Sequence, residues 1–357
     1  MPGRPACGGI DGVPVVTRLE QGRPRQRVNM TRPRFSIVLC TYNGAAYLQP
    51  QLDSLLAQTR LPDEIVIGDD GSTDASMDML HVFAQRARKA GIAVELRRNR
   101  DTLGYVGNFS AGLRAAEGEV LFLCDQDDVW RADKLARMAD RFEQDPSLSL
   151  LHSDARLVDA QGGSLQCSLF EALQMTPQEK QAIHDGHAFE VVLRRSFATG
   201  ATAALRRSLV ELALPVETGW IHDEWLTAVA AATGRVDFID EPLIDYRQHG
   251  ANQIGMRRRT LAMKWRDLLL PRGRLLSDEA LRLRRLEAFL ARGEFRGSAE
   301  RVAQVHHKSS HFDRRVAIGR LPRLRRLPAI MREARSGCYR RYGTGGRSML
   351  RDLLRHD

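Results

Sequence analysis

Three aspartates lie within four positions near the middle of the chain, in the stretch Cys124–Trp130 with the sequence CDQDDVW. Asp125, Asp127 and Asp128 repel one another when ionised, and a bound cation removes that repulsion. Carboxylate oxygens are typical ligands of Mg²⁺ and Mn²⁺, and Mg²⁺ usually completes its shell with water and substrate phosphates. The stretch therefore predicts a divalent metal site that holds a diphosphate. The alternative is an Asp-rich turn in which one aspartate caps the next helix.

The acid cluster follows the apolar run Glu119–Cys124, which has the length and composition of a buried strand. Three earlier runs have the same character: Phe35–Cys40, Glu64–Gly68 and Ala93–Leu96. Amphipathic helical patterns lie between these strands, so the sequence predicts right-handed βαβ units with parallel strands. Ligands of such sheets bind beyond the carboxyl ends of the strands. The acid cluster, Thr41, Tyr42 and the pair Asp69–Asp70 are all expected at that edge.

The part of the chain after the acid cluster is less regular. Leu148–His152 and Arg235–Asp245 are predicted strands, and a helix is expected to begin within Trp220–Leu226. The small-residue run Thr199–Ala204 is predicted to be a strand along which the backbone can approach a ligand closely.

Charge divides the chain into regions. The whole sequence carries a net charge of +10, but Arg257–Asp357 has 27 Lys+Arg against 10 Asp+Glu. Residues 1–33, rich in Gly, Pro and Arg, predict a disordered leader, with Met30 as an alternative start. Residues 34–256 are the expected catalytic domain, and residues 257–357 are an expected basic, mainly helical region. The five scattered cysteines show no C-x-x-C pairing, which favours a reducing cytoplasm over a disulfide framework.

No apolar run is long enough to cross a bilayer, and no signal-peptide pattern is present, so membrane contact is expected to be peripheral. Leu261–Leu270 predicts a helix with a Trp and Leu face beside basic residues, suited to the inner face of the cytoplasmic membrane. The alternative is that these apolar residues pack on the catalytic domain.

Neither a G-x-G-x-x-G fingerprint nor a P-loop follows any predicted strand. Five other motifs resemble glycosyltransferase family 2, whose members with the GT-A fold transfer sugars with inversion. In chain order they are Ser36–Gly44 (SIVLCTYNG), Ile67–Asp74 (IGDDGSTD), Cys124–Trp130 (CDQDDVW), His222–Trp225 (HDEW) and Tyr246–Gly250 (YRQHG). The DQDDVW and YRQHG forms are similar to bacterial rhamnosyltransferases of O-antigen and other surface polysaccharides.

The resemblance implies an α/β fold of the GT-A type, a Rossmann-like mixed sheet flanked by helices, followed here by the basic helical region. It implies that Thr41, Tyr42, Asp70 and Asp127 bind the nucleotide. It also implies that Asp127 and Asp128 hold Mg²⁺ or Mn²⁺. An alternative for one of Asp69 and Asp70 is a negative charge near a helix N-terminus.

The resemblance places the catalytic base on Asp223. Many relatives have Glu-Asp at this pair, whereas this chain has His222–Asp223. One carboxylate taking the proton from the attacking hydroxyl is the chemistry that an inverting transfer needs. The alternative is that Asp223 only caps its helix.

Four further residues complete the expected site. Arg247 and His249 resemble a loop that closes on the diphosphate or the metal, with a surface turn as the alternative. Asp125 is expected to lie close enough to contact ribose, metal or solvent. Asn108 is expected near the nucleotide, with a helix cap as the alternative.

The sequence thus predicts a metal-dependent inverting glycosyltransferase that moves a sugar from a nucleoside diphosphate donor to a glycan or lipid-linked acceptor. A nucleotidyltransferase is an alternative, but it usually has a Gly-rich loop and a lysine, and Thr41–Gly44 supplies neither. A nucleic-acid-binding protein is a second alternative because the sequence pI is about 9.8. The excess of carboxylates in residues 1–256 opposes it, so nucleic acid is not an expected partner.

Overall fold

The computed structural model describes residues 32–250, 274–293, 295 and 297–355. The predicted leader 1–33 lies outside the described residues except for Arg32 and Pro33, and so does the predicted helix Leu261–Leu270.

The first half of the sheet is built from βαβ units, as predicted. Its elements are β1 (Phe35–Thr41), α1 (Ala45–Leu56), β2 (Glu64–Asp69), α2 (Ser76–Lys89), β3 (Ala93–Arg98), α3 (Gly104–Ala115) and β4 (Val120–Cys124). The strands lie in the order β3-β2-β1-β4, and all three pairings are parallel. Alternate residues of β1 enter two different cores, Val38 on one side and Ile37 and Leu39 on the other, because helices cover both faces of the sheet.

The second half completes a mixed sheet. Its elements are β5 (Val129–Trp130), α4 (Lys134–Gln144), β6 (Leu148–Val158), β7 (Ser164–Ser168), α5 (Leu169–Ala172), α6 (Pro177–His184), α7 (Ala188–Val192), a 3₁₀ turn (Gly200–Thr202), β8 (Ala204–Arg206), α8 (Arg207–Ala213), α9 (His222–Thr233) and β9 (Arg235–Arg247). The described strands continue in the order β4-β8-β6-β9-β5, with β7 beside β6.

Strand β8 is antiparallel to both β4 and β6, whereas β6 and β9 are parallel. The prediction of an α/β mixed sheet flanked by helices is therefore confirmed. The predicted strand Thr199–Ala204 is wrong, because Gly200–Thr202 forms a 3₁₀ turn and β8 begins only at Ala204.

The described part of the basic region is helical. It comprises α10 (Leu275–Arg292), α11 (Ser298–Gly319), α12 (Arg323–Arg335), α13 (Cys338–Arg341) and α14 (Gly346–Leu354). Leu283 of α10 shares a hydrophobic core with Trp225 of α9, and the Trp225 and Phe289 ring centroids are 5.0 Å apart. Arg282 of α10 also donates a hydrogen bond to Glu224 in the first turn of α9. Within the described ranges, no helix combines the length and apolarity needed to cross a membrane.

His152 of β6 is fully buried, and its ring centroid lies 5.5 to 5.7 Å from those of Phe170, Phe197 and Phe238. Burial lowers the pKa of His152 from 6.5 to about 3. Between pH 3 and pH 6.5, His152 therefore binds a proton in the unfolded chain but not in the folded protein. Stability is therefore full above pH 6.5 and falls by up to about 1.4 kcal/mol per pH unit as the pH drops toward 3.

We expect His152→Leu to reduce the loss of unfolding free energy on acidification, because leucine removes the buried titratable group. Urea titrations at a series of pH values below 6.5 measure this slope. The control is His81→Leu on the exposed side of α2, which should leave the slope unchanged. Equal slopes for the wild type and His152→Leu would contradict the prediction.

Candidate active site

A cavity of about 700 Å³ lies beyond the carboxyl ends of β1, β2 and β4. Because parallel strands end at the same edge, the loops that follow them meet there. The start of α9 also lines the cavity. The predicted site residues that line this cavity are Thr41, Tyr42, Asp70, Asn108, Asp125, Asp127, Asp223 and His249. Two predicted site residues, Asp128 and Arg247, do not line it.

Thr41, Tyr42 and Asp70 form one wall. The Tyr42 side chain is 50% exposed, whereas Thr41 and Asp70 are buried. The Thr41 hydroxyl donates to Asp69 Oδ2 at 2.9 Å, and Asp69 also accepts from the Ser72 backbone N–H at 2.9 Å. Asp69 therefore holds the loop together, and Asp70 is the member of the pair that reaches the cavity.

Asp70 and Asn108 fasten the start of α3 to β2. Asp70 accepts hydrogen bonds at 2.8 Å from the backbone N–H groups of Leu103 and Gly104. Asn108 donates to the Gly68 carbonyl at 2.8 Å from the interior of α3. The alternative that Asn108 caps a helix is therefore wrong.

Gln126 was not singled out by the sequence, yet it positions the acid cluster. Its side chain accepts from the Tyr42 backbone N–H at 2.8 Å and donates to the Tyr42 carbonyl at 3.1 Å. Gly44 leaves room for this contact, because a Cβ there would lie 2.1 Å from Gln126 Oε1. The cap alternative for the acid cluster is wrong, since α4 begins only after Asp133.

The three aspartates face different surroundings. Asp125 and Asp127 line the cavity, whereas Asp128 is 1% exposed and accepts from the Arg247 backbone N–H at 2.9 Å. Burial, followed by Asp127 and Asp223, raises the pKa of Asp125 to about 7. Burial, followed by Asp127 and Asp125, raises the pKa of Asp128 well above its ordinary value. The structure thus separates the expected metal pair, because Asp127 reaches the cavity and Asp128 does not.

Lys134 at the start of α4 is a buried amine behind this cluster. Its Nζ donates to the Ala201 carbonyl at 2.9 Å and lies 3.7 Å from the centre of the Trp130 ring. Burial lowers the pKa of Lys134 to about 7, although Cys124, Asp128 and Asp125 oppose that shift. The sequence does carry a signal for Lys134, because a lysine on the apolar face of α4 follows soon after three aspartates.

Arg247 and His249 make different contacts at the end of β9. The Arg247 guanidinium donates to the backbone carbonyls of Asp127 at 2.8 Å and Ala160 at 3.0 Å. His249 Nε2 lies 2.8 Å from Asp127 Oδ2, and its ring stacks on Tyr47 with centroids 4.3 Å apart. The surface-turn alternative is wrong, because the side chain of His249 is 8% exposed and Arg247 is 6% exposed. In this structure Arg247 supports the Asp127 loop and His249 reaches the cavity.

We expect Arg247→Ala to lower the free energy of unfolding by about 2–4 kcal/mol, because buried carbonyls lose their donors. The control is Arg156→Ala on β6, whose side chain is 56% exposed and pairs with Asp245. Removing this surface pair should cost less than about 1 kcal/mol. Denaturant titration compares the two variants. The prediction is contradicted if Arg247→Ala is as stable as the wild type and loses only nucleotide binding. That result would support the diphosphate contact that the resemblance implies for Arg247.

Asp223 lies in the first turn of α9 and lines the same cavity as Asp125 and Asp127. Its Oδ2 accepts from the Gly200 backbone N–H at 3.0 Å, and its Oδ1 accepts from the Glu224 N–H at 2.7 Å. The helix cap is Ile221, so the alternative that Asp223 is the cap is wrong. Gly200 permits the approach, since a Cβ there would lie 3.2 Å from His222 Nε2.

His222, the residue that departs from the family pattern, packs inside the protein. Its ring stacks on Phe109 with centroids 4.3 Å apart and an interplanar angle of 18°. Burial lowers the pKa of His222, so a neutral ring beside Asp223 is favoured. The histidine thus shapes the wall next to Asp223.

The residues at the cavity fit a divalent metal. Asp125 and Asp127 supply carboxylate oxygens and His249 supplies an imidazole nitrogen, which are donor types that Mn²⁺ accepts. The buried Oδ2 of Asp128 accepts no hydrogen bond from the described residues. Within the same residues, the site does not bring three protein ligand atoms within 4.8 Å of one another. An ion there would therefore also need water or substrate oxygens.

Similar proteins point to one family. Residues 36–211 match the model of glycosyl transferase family 2. An uncharacterized glycosyltransferase of Nostoc sp. is 30% identical over 223 residues, which cover 61% of this chain and 66% of that protein. The putative glycosyltransferase EpsH of Bacillus subtilis is 28% identical over 228 residues, covering 62% of each chain. The chain therefore spans somewhat less than two thirds of the length of these relatives.

Solved structures share the fold. Residues 1–349 of TarS from S. aureus, solved with UDP-GlcNAc, have a TM-score of 0.53 at 16% identity, covering 87% of this chain and 89% of that chain. The mannosyltransferase PcManGT from Pyrobaculum calidifontis, solved with GDP-Man and Mn²⁺, has a TM-score of 0.50 at 18% identity, covering 91% and 86%. The chain therefore has an α/β fold of the GT-A type, and its residues 36–211 are similar to glycosyl transferase family 2.

Proposed function

We propose that this protein is a metal-dependent inverting glycosyltransferase that moves a sugar from a nucleoside diphosphate donor to an acceptor hydroxyl. The observation that carries the proposal is one cavity lined by two acidic sites, Asp125–Asp127 after β4 and Asp223 at the start of α9. An inverting transfer needs such a division, because leaving-group stabilisation and proton abstraction occur on opposite sides of the sugar. The donors bound by TarS and PcManGT support the substrate class.

The donor nucleotide is assigned to the wall formed by Thr41, Tyr42 and Asp70. The half-exposed Tyr42 ring offers a flat apolar surface for a base. Asp70 accepts a single hydrogen bond on Oδ2 from Gly104, so this oxygen can also accept from a base N–H. Thr41 supports the wall through its hydrogen bond to Asp69.

Asp127 and Asp125, with His249 beside Asp127, would hold Mg²⁺ or Mn²⁺. Such an ion, when bound, neutralises the negative charge that develops on the departing diphosphate. Asp128 is placed behind this set, where its carboxylate accepts from Arg247 and holds the end of β9. The complex of PcManGT with Mn²⁺ supports a divalent metal.

Asp223 is the proposed general base. It accepts the proton of the acceptor hydroxyl as that oxygen bonds to the anomeric carbon and the bond to the diphosphate breaks. One displacement of this kind inverts the configuration of the sugar. The hydrogen bonds from the Gly200 and Glu224 N–H groups fix the direction of this carboxylate.

The proposal extends to the acceptor and the pathway. We assign the acceptor to a glycan or lipid-linked hydroxyl in bacterial surface polysaccharide synthesis, with a rhamnosyl donor as the first candidate. The support is the pair of motifs DQDDVW and YRQHG in Cys124–Trp130 and Tyr246–Gly250. The corresponding location is the cytoplasm, at the inner face of the membrane.

The test is incubation of the full chain with UDP-, GDP- and dTDP-sugars, a rhamnosyl donor among them, in the presence of Mn²⁺. We expect release of the nucleoside diphosphate from one donor and its loss in excess EDTA. Undiminished release in EDTA would contradict metal dependence. Pyrophosphate release from a nucleoside triphosphate and a sugar phosphate would instead indicate a nucleotidyltransferase.

A further inference from the structure

Helix α12 has a buried face and an exposed face of different character. Arg326, Ile330 and Glu333 are buried on the inner face. The outer face carries Leu324, Leu327 and Met331, which are 93%, 54% and 48% exposed. Spacings of three and four residues place these three side chains on one side of the helix.

The exposed side chains around this apolar row are basic. Four exposed residues of α12 are arginines: Arg323, Arg325, Arg332 and Arg335. No exposed residue of α12 is acidic. From Arg314 to Arg355, a segment described throughout, the sequence has thirteen arginines and two carboxylates.

Both of those carboxylates face inward. Glu333 is 7% exposed and accepts from Arg314, and Asp352 is fully buried and accepts from Arg315. The outward surface of this segment is therefore rich in arginine, while its own two carboxylates point inward. Helix α14, which packs against α12, adds the exposed Leu350 and Arg347.

An anionic bilayer interface has an apolar acyl boundary and a layer of anionic headgroups. The exposed leucine and methionine side chains suit the first, and the surrounding arginines suit the second. Apolar side chains gain free energy by entering the acyl boundary, and arginine side chains are attracted to anionic headgroups. A nucleic acid would use the arginines but would leave the apolar row without a partner. We infer that the outer face of α12 binds an anionic lipid surface.

This inference does not use the segment Leu261–Leu270, which lies outside the described residues. It is also independent of the proposed reaction, because lipid binding is measured without donor or acceptor. A membrane-bound acceptor would, however, give the enzyme a reason to be at that surface.

The experiment is co-sedimentation of the full chain with vesicles of phosphatidylcholine, alone or mixed equally with phosphatidylglycerol. We expect binding to the mixed vesicles that weakens in high salt. The apolar variant Leu324→Gln/Leu327→Gln/Met331→Gln should bind at least about tenfold more weakly. The matched control replaces exposed apolar residues elsewhere, Val82→Gln and Leu212→Gln, and should bind like the wild type.

All variants are exposed-site substitutions, and circular dichroism with thermal melting checks that they fold. Failure of the full chain to bind mixed vesicles would overturn the inference, and so would wild-type binding by the apolar variant. An arginine variant, Arg323→Gln/Arg325→Gln/Arg332→Gln, distinguishes a lipid surface from nucleic acid as the partner. Loss of binding in that variant alone, with tight binding of the full chain to single-stranded DNA, would favour a nucleic-acid surface.

Discussion

We expect Asp223→Asn to lower the rate of sugar transfer by about 10²- to 10⁴-fold, the usual cost of removing a positioned general base. Nucleoside diphosphate affinity should remain close to that of the wild type, because Asp223 belongs to α9 and not to the wall proposed to bind the nucleotide. Asparagine keeps one oxygen that can accept from Gly200 or Glu224, so the first turn of α9 should persist. Transfer is measured as product formation, and affinity is measured by calorimetric titration.

The control for this variant is Asp140→Asn on the exposed side of α4, which removes the same charge away from the cavity. It should transfer at the wild-type rate. If Asp223→Asn transfers sugar at a rate comparable to that of the wild type, Asp223 is not the general base. A parallel fall in nucleotide affinity would show instead that the substitution disturbs the cavity as a whole.

The second large effect is expected at Asp127. Asp127→Asn should weaken metal-dependent nucleotide binding by about 10²-fold or more, because a neutral amide replaces an anionic metal ligand. Asp127 lines the cavity and pairs with His249, so its charge is directed at the site. Titration of the nucleoside diphosphate with and without Mn²⁺ isolates the metal-dependent part of the affinity.

Asp128→Asn is the matched comparison, since it removes the same charge from the next residue. Its pKa is raised well above the ordinary value, mainly by burial, so a neutral amide suits that position. The amide oxygen can still accept from the Arg247 N–H. We therefore expect metal-dependent binding close to that of the wild type. If Asp128→Asn loses binding as fully as Asp127→Asn, Asp128 is a metal ligand, as the sequence predicted.

Sequence pattern alone was sufficient for the first four strands and for the edge at which the site lies. A buried parallel strand appears as a continuous apolar run, so β1, β2, β3 and β4 could be located from local composition. Parallel strands also end on the same side of a sheet. For that reason Thr41, Asp70 and Asp127 could be placed together before any contact was known.

The direction of each side chain at that edge could not be predicted in this way. Asp127 and Asp128 are neighbours in one motif, yet one lines the cavity and the other is buried. Their orientations depend on Gln126 bonding to Tyr42 and on Asp128 bonding to Arg247, across 84 and 119 residues. For the same reason the resemblance implies that Arg247 contacts the diphosphate or the metal, whereas in the structure its guanidinium bonds to backbone carbonyls.

Two further features also depend on contacts between distant segments. Gly200 bonds to Asp223 from a turn that the sequence presented as a strand, and Lys134 reaches Ala201 from another helix. Hydrophobic periodicity reports which face of a strand or helix is buried, and the chain carries that signal locally. Hydrogen bonds between remote loops leave no such period, so only the folded protein determined which carboxylates reach the cavity.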